Sequence, residues 1–222
     1  MKQAPRAWYA CIDSYLMKLG FTKSNADSNL YFKVVQGMPL ILVLYVDDLF
    51  LTGSEPLMLE CKRELAFEFE MKDLGLMHYF LGLEVWQKLE EIFLSQGKYV
   101  VKLLERFGMV EWKPMARPME MNLKKLCGDV VGPNLANPFE YRQLIGALMF
   151  LVNTFPDICF VVNNLSQCRT EHLHAHWVAA KHVLRYLHGT INLGLRYTSK
   201  DVRLHGYTDA NWAGNVINRK ST

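Results

Sequence analysis

The stretch Leu40-Ile41-Leu42-Val43-Leu44-Tyr45-Val46-Asp47-Asp48-Leu49-Phe50-Leu51-Thr52 sets two adjacent carboxylates inside an otherwise apolar run. An ionised carboxylate withdrawn from water is costly unless a cation, a donor or an exposed turn meets it. The run divides into two short strands, Leu40–Tyr45 and Leu49–Thr52, with Val46, Asp47 and Asp48 at the bend between them. A tight bend relaxes strand alternation, so neighbouring carboxylates can approach one site instead of pointing to opposite faces. Two hard oxygen ligands at a hairpin tip suit Mg²⁺, which takes carboxylates together with substrate phosphates. The same pair also suits an Asx-type turn whose aspartates bond only local backbone. On the residues alone both readings stand.

Upstream of this hairpin, Trp8, Ile12, Tyr15, Leu16 and Leu19 recur at helical spacing and predict a helix over Ala7–Leu19, stopped by Gly20. Phe21-Thr22 and Leu30–Val35 read as short strands. Downstream, Ser54, Glu55 and Pro56 start a helix over Glu55–Phe69 that carries Leu57, Met58, Cys61, Leu65 and Phe69 inward. Tyr79–Trp86 reads as one strand containing a glycine, with Glu90–Leu94 as its hairpin partner. Ser95 then caps a helix over Gln96–Phe107, and Gly108 ends it. Periodicity is lost from Trp112 to Pro138, where four prolines and two glycines mark a linker. Helices return at Phe139–Asn153, Pro156–Gln167 and His174–His188, and two strands, Gly194–Tyr197 and Arg203–Asp209, follow. Helices and strands alternate in short hairpin-connected groups, which predicts an α+β fold with an antiparallel sheet.

Composition sets bounds around that pattern. Half of the 222 residues are hydrophobic and 12% aromatic, enough for a substantial core. A net charge of +3 is compatible with nucleic acid without requiring it. Cys11, Cys61, Cys127, Cys159 and Cys168 are scattered without zinc or redox spacing, which predicts reduced thiols in an intracellular protein. No signal-like segment and no apolar run of roughly 18 residues occurs, so no membrane partner is expected. His172, His174, His176, His182 and His188 crowd one region, yet no Glu or Cys joins them at ligand spacing, so packing is the expected role.

Several further words accompany Tyr45-Val46-Asp47-Asp48. They are Lys2-Gln3-Ala4-Pro5-Arg6-Ala7-Trp8-Tyr9, Met71-Lys72-Asp73-Leu74-Gly75, Tyr79-Phe80-Leu81-Gly82-Leu83-Glu84, the run Tyr141–Leu148, Pro156-Asp157-Ile158, the run His176–Lys181, and Gly206-Tyr207-Thr208-Asp209-Ala210. Tyr45-Val46-Asp47-Asp48 between its two apolar strands resembles the polymerase box of reverse transcriptases. Together the words, in this order and over nearly the whole chain, resemble the copia-type LTR retrotransposon Pol polyprotein. The resemblance implies RNA-directed DNA synthesis by two-metal phosphoryl transfer with Mg²⁺ or Mn²⁺, acting on an RNA or DNA template–primer with nucleoside triphosphates.

Residue by residue, the resemblance makes Asp47 a direct metal ligand and Asp48 its weaker companion, with Tyr45 near the primer–template end. Gln3 would border the template base and incoming nucleotide. Arg6 would reach a phosphate or remain a surface charge, and Lys72 would assist the departing pyrophosphate or stay exposed. Phe80-Leu81-Gly82 would form a primer-grip strand in which Gly82 lets backbone approach the primer, or would serve ordinary sheet packing. Lys98, Lys102, Arg106, Lys113, Arg117, Lys124 and Lys125 would line a template–primer groove or form a solvated face. Gly206–Gly214 resembles the first strand of a ribonuclease H domain, with Asp209 at its first metal-binding position. Relatives carry Asp where Asn211, Asn215 and Asn218 stand, so Asp209 is expected to be vestigial.

The implied fold is a partial reverse-transcriptase palm and thumb start over 1–111, a linker over 112–138, a helical connection over 139–192, and the first strands of an incomplete ribonuclease H-like domain over 193–222. Other segments of the Pol polyprotein are implied partners, and a cytoplasmic particle or the nucleus is the implied location. The family places a further catalytic aspartate on a strand before the glutamine-proline word. This chain starts after that strand, so the expectation for the chain alone is an incomplete metal site and at most nucleic-acid binding. An in-line transfer tolerates little misplacement, since about 1 Å can cost roughly 10²-fold in rate.

Overall fold

The structure, a computed structural model, describes residues 4–119, 133, 137–168 and 173–199. It divides into two compact units between Gly75 and Leu76.

The first unit begins with α1 (Ala4–Lys18) and continues through β1 (Thr22–Lys23), β2 (Leu30–Val35), β3 (Met38–Tyr45), β4 (Asp48–Gly53) and α2 (Glu55–Glu68). The strands form one antiparallel sheet in chain order, β1-β2-β3-β4. Strand alternation decides which residues enter the core. Leu40, Leu42 and Leu44 of β3 and Tyr31 of β2 point to one face and pack with Ile12 and Leu16 of α1 and with Cys61 and Leu65 of α2. Each fully buried leucine contributes about 1.5–3 kcal/mol relative to leaving it in water. Their alternates Phe32, Ile41 and Tyr45 remain exposed on the opposite face. The sheet therefore has a helix-covered side and an open side. Gly53 is required where β4 ends, because a Cβ there would lie 2.2 Å from the Pro39 carbonyl oxygen. Ser54 occupies the N-cap of α2 without a side-chain cap bond, and its hydroxyl donates to the Met38 sulfur at 3.4 Å.

The second unit contains β5 (Tyr79–Phe80), β6 (Leu83–Lys88), β7 (Glu91–Ser95), α3 (Gly97–Arg106), α4 (Pro138–Leu151), a 3₁₀ turn at Pro156–Ile158, α5 (Cys159–Gln167), α6 (His174–Gly189) and β8 (Leu195–Thr198). Its helical core joins Val100, Leu103 and Leu104 of α3 to Leu144, Ile145 and Leu148 of α4, to Val161, Val162 and Leu165 of α5, and to Val183, Leu184 and Leu187 of α6. Asn137 caps α4 by accepting from the Glu140 amide at 3.3 Å, with Pro138 as the first helical residue. Glu84, buried on β6, takes the equivalent role at α3 by accepting from the Lys98 amide at 2.9 Å.

Two sequence expectations are corrected here. Asp48 is not part of the bend: it opens β4 and pairs with Tyr45, leaving Val46-Asp47 as a two-residue loop. Tyr79–Trp86 is not one strand. Leu81 and Gly82 both take positive φ, +48° and +82°, and this reverses the chain into the β5–β6 hairpin. The strand at 195–198 pairs antiparallel with β7 and completes the sheet order β5-β6-β7-β8. The unit boundary at Gly75 lies inside the 1–111 segment drawn from sequence, since α3 buries its apolar face among the later helices. The strand expected at Arg203–Asp209 and most of the linker from 120 onward lie outside the described residues.

Candidate active-site hairpin

The β3–β4 hairpin presents both aspartates at the surface of the first unit. Register pairs Tyr45 with Asp48, so these two side chains share the open face of the sheet, opposite the helices. Asp47 follows Val46 in the loop and is exposed. Val46 takes φ +55°. A β-branched residue in the left-handed region is strained, at a cost of order 1–3 kcal/mol, and persists only where the surroundings impose it.

Those surroundings come from α1. The Trp8 indole Nε1 donates to the Val46 carbonyl oxygen at 2.9 Å, tying the loop to a rigid helix. Trp8 is itself wedged by Phe69, with ring centroids 5.3 Å apart and edge-on, and Tyr15 meets the same Phe69 at 5.2 Å. Tyr15 also donates through its hydroxyl to the Glu64 carbonyl of α2 at 3.1 Å. An aromatic bracket from both helices thus fixes the tip that carries the acids. The helical period of α1 placed Trp8 among inward residues, but no sequence signal links an indole to a backbone carbonyl 38 positions later.

Behind the bracket lies a polar cluster that the sequence did not disclose. Asp13 accepts from Lys23 Nζ at 2.7 Å and from the Tyr31 hydroxyl at 2.5 Å. The hydrogen bond from Lys23, followed by that from Tyr31, holds the Asp13 carboxyl below its ordinary range. Burial, then the bond to Asp13, pushes the Tyr31 phenol up. Lys23 is raised in turn by its bond to Asp13, and its ammonium lies 4.9 Å from the Tyr9 ring centroid.

The remaining sequence candidates are dispersed. Arg6 is exposed on the first turn of α1, and Lys72 is exposed in the segment closing the first unit, beside Asp73, which pairs with Lys62 at 2.9 Å. Gly82 belongs to the second unit, at the tip of the β5–β6 hairpin. Gln3 and Asp209 lie outside the described residues, as do Lys124 and Lys125. Of the basic series, Lys98 pairs with Glu84 at 3.2 Å, and Arg106 donates to Gln143 at 2.7 Å.

Among the described residues no group of three or more His, Cys, Asp or Glu forms a metal cluster. His172 lies outside the described residues, and three others of that series bond backbone groups. His176 accepts from the Leu173 amide at 3.0 Å and closes the start of α6, while His182 and His188 bond the Arg117 and Trp112 carbonyls, each at 3.0 Å. Also among the described residues, no helix is long and apolar enough to cross a membrane.

Comparison with known proteins supplies the class of molecule that carries such a hairpin. Residues 1–121 match the family model for reverse transcriptase (RNA-dependent DNA polymerase), so the chain belongs to that family. Over its whole length it is similar to retrotransposon Pol polyproteins, which identifies it as a reverse transcriptase segment of the copia type. It is 39% identical over 225 residues to the retrovirus-related Pol polyprotein from transposon RE2 of Arabidopsis thaliana, covering 100% of this chain and 15% of the polyprotein. Against the corresponding polyprotein from transposon TNT 1-94 of Nicotiana tabacum the identity is 38% over 232 residues, covering 100% and 17%. An uncharacterised mitochondrial protein of Arabidopsis thaliana is 40% identical over 186 residues, 82% of this chain and 76% of that protein. The chain thus spans less than a fifth of the length of the Pol polyproteins it matches. No solved structure gives a significant match.

Proposed function

We propose that the β3–β4 hairpin is the catalytic tip of an RNA-directed DNA polymerase, with Asp47 and Asp48 as metal-binding carboxylates. The observation that carries this reading is the placement of Asp48 beside Tyr45 on the open sheet face, next to an Asp47 whose loop is pinned by Trp8. Two adjacent, exposed hard-oxygen donors fit Mg²⁺ or Mn²⁺, since Mg²⁺ is held by one or two carboxylates plus substrate phosphates. A divalent ion bound there would activate a hydroxyl and neutralise charge on a phosphate.

Synthesis joins the primer 3′-oxygen to the α-phosphorus of a nucleoside triphosphate, breaks the bond to pyrophosphate and releases the hydroxyl proton. The part of this chain is positional. The carboxylates orient the charge, and the bracket of Trp8, Tyr15 and Phe69 keeps the tip still, because in-line transfer is sensitive to misplacement of about 1 Å. In the same reading the first unit is the palm. Gln3, Arg6, Tyr45 and Lys72 serve template, primer and nucleotide, and the tip carrying Gly82 approaches the primer. The second unit supplies thumb and connection, Asp209 is a vestige of ribonuclease H, and the remaining Pol segments are partners inside a cytoplasmic particle or nucleus. Primer extension on an RNA template by the complete element tests the reading. Asp47→Asn abolishes synthesis if it is right, and undiminished synthesis removes Asp47 from the mechanism.

A second reading treats the chain by itself as a catalytically silent nucleic-acid-binding module. It is favoured by the hairpin contributing two carboxylates, with no third acid joining them among the described residues. Mg²⁺-dependent nucleotide incorporation by the purified 222-residue chain would overturn it.

A further inference from the structure

The second sheet has an aromatic face that neither reading uses. Register aligns Tyr79 with Glu84, and Trp86 with Phe93 and then Arg196, so these side chains share one face across all four strands. Tyr79 is 56% exposed and Trp86 46% exposed. The Trp86 and Phe93 ring centroids lie 5.5 Å apart at 44°, and the rings floor a shallow concavity of about 290 Å³ walled by Lys88, Glu91 and Arg196. Cations surround the aromatics. Lys98 Nζ lies 6.0 Å from the Tyr79 ring centroid, and Lys88 and Arg196 stand at the other end. The two acids on this face are already engaged, Glu84 with Lys98 at 3.2 Å and Glu91 with Arg196 at 3.4 Å. Both ion pairs leave their cations well exposed, 73% for Lys98 and 66% for Arg196.

Aromatic faces ringed by cations on a sheet suit single-stranded nucleic acid. Bases that are not paired stack on the rings, and phosphates run past the ammonium and guanidinium groups. A duplex keeps its base faces covered and cannot exploit such a platform. From this juxtaposition we infer that the β5–β8 sheet face, through Tyr79, Trp86 and Phe93 with Lys88, Lys98 and Arg196, is a stacking platform for two or three unpaired nucleotides of single-stranded nucleic acid. The platform rests on the nucleic-acid reading of the chain for its class of partner and takes in Lys98 of the basic series. It stands on a different unit from the Asp pair and needs no metal.

The test measures binding of fluorescent single-stranded oligomers, an oligouridine and an oligothymidine, to the full 222-residue chain in EDTA. Chelation removes any role for metal at the hairpin, so failure of the polymerase reading leaves this result untouched. Both oligomers bind and quench tryptophan emission, and a difference between them reports preference for ribose or deoxyribose. Trp86→Leu weakens binding about 5- to 150-fold, the loss expected for one base–aromatic stack. Tyr197→Ala, an exposed aromatic on the opposite face of the same sheet, leaves binding unchanged. Lys88→Gln guards against misfolding of the tryptophan variant, because it changes only an exposed side chain and lowers the salt slope by about 0.7. The proposal is overturned by unchanged affinity in a folded Trp86→Leu protein. Absence of binding to both oligomers, equal competition by duplex, or a chain dimer that occupies this face and excludes the oligomers would overturn it too.

Discussion

Strand β3 is turned at both ends by two-residue loops, Gln36-Gly37 before it and Val46-Asp47 after it, and the pair differs in how backbone strain is met. In the first loop Gln36 at φ +51° is followed by Gly37 at φ +79°, so one position is relieved by the residue that tolerates it. In the second, Val46 at φ +55° is β-branched and its neighbour is an aspartate. The first loop is solved locally; the second is held from outside, by the hydrogen bond from Trp8. The strained loop, held by a helix-borne indole, is the one that carries the acids of the proposed site.

Four substitutions put pressure on this contrast. The largest effect is expected for Asp47→Gly in the complete polymerase, which brings the second loop closer to the chemistry of the first. Primer extension falls by about 10²-fold or more, whereas Gly37→Asp leaves synthesis near its starting rate; equal losses would erase the distinction. Next comes the strain itself. Val46→Gly raises the stability of the first unit by about 1 kcal/mol in urea unfolding, while Gln36→Gly changes it by less than about 0.5 kcal/mol, because only valine adds β-branching to the left-handed position. A loss greater than the roughly 1 kcal/mol that glycine costs through the unfolded chain would mean that the loop is not strained.

Trp8→Phe keeps the ring against Phe69 and deletes the donor, so it costs about 0.5–1.5 kcal/mol. Amide exchange should accelerate at the Val46-Asp47 loop and not at Gln36-Gly37. The smallest effect is a pH dependence set behind the bracket. Asp13 has its carboxyl lowered in the fold, so its contribution is complete above the ordinary value of 3.8 and is lost as pH falls through the lowered one. Lys23 and Tyr31 are raised, so their contributions are complete below their ordinary values of 10.5 and 10.0 and are lost as pH rises beyond them. Asp13→Asn flattens the acid limb of the unfolding midpoint, and a limb of unchanged slope would show that the cluster is not linked to folding.

The legible parts of this molecule were those whose partners lie nearby in sequence. The β3–β4 hairpin is legible because an apolar run broken by two acids has few solutions, and the structure departs from it only at the tip, where Asp48 pairs with Tyr45 instead of joining the bend. Helices α2, α4 and α6 announced themselves through apolar spacing and end signals. The β5–β6 turn was hidden because Tyr79–Trp86 is apolar across Leu81-Gly82, and a left-handed leucine leaves no compositional trace. The role of Trp8, the polar cluster around Asp13 and the tasks of the α6 histidines depend on contacts far apart in the chain. Periodicity cannot report such contacts.

Strand β8 carries a consequence for how the chain is made. The Ser95 hydroxyl donates at 3.2 Å to the Leu193 carbonyl, 98 residues further along, and β7 gains its outer neighbour only from Leu195–Thr198. During synthesis β7 therefore emerges with one ladder of amides and carbonyls unfilled, and at about 5–20 residues per second it waits roughly 5–20 s for β8. An open edge of that duration can pair with a neighbouring nascent chain. Yield of the folded second unit should depend on elongation speed and on ribosome crowding, in a way that the first unit, whose strands all arrive within one contiguous stretch, escapes.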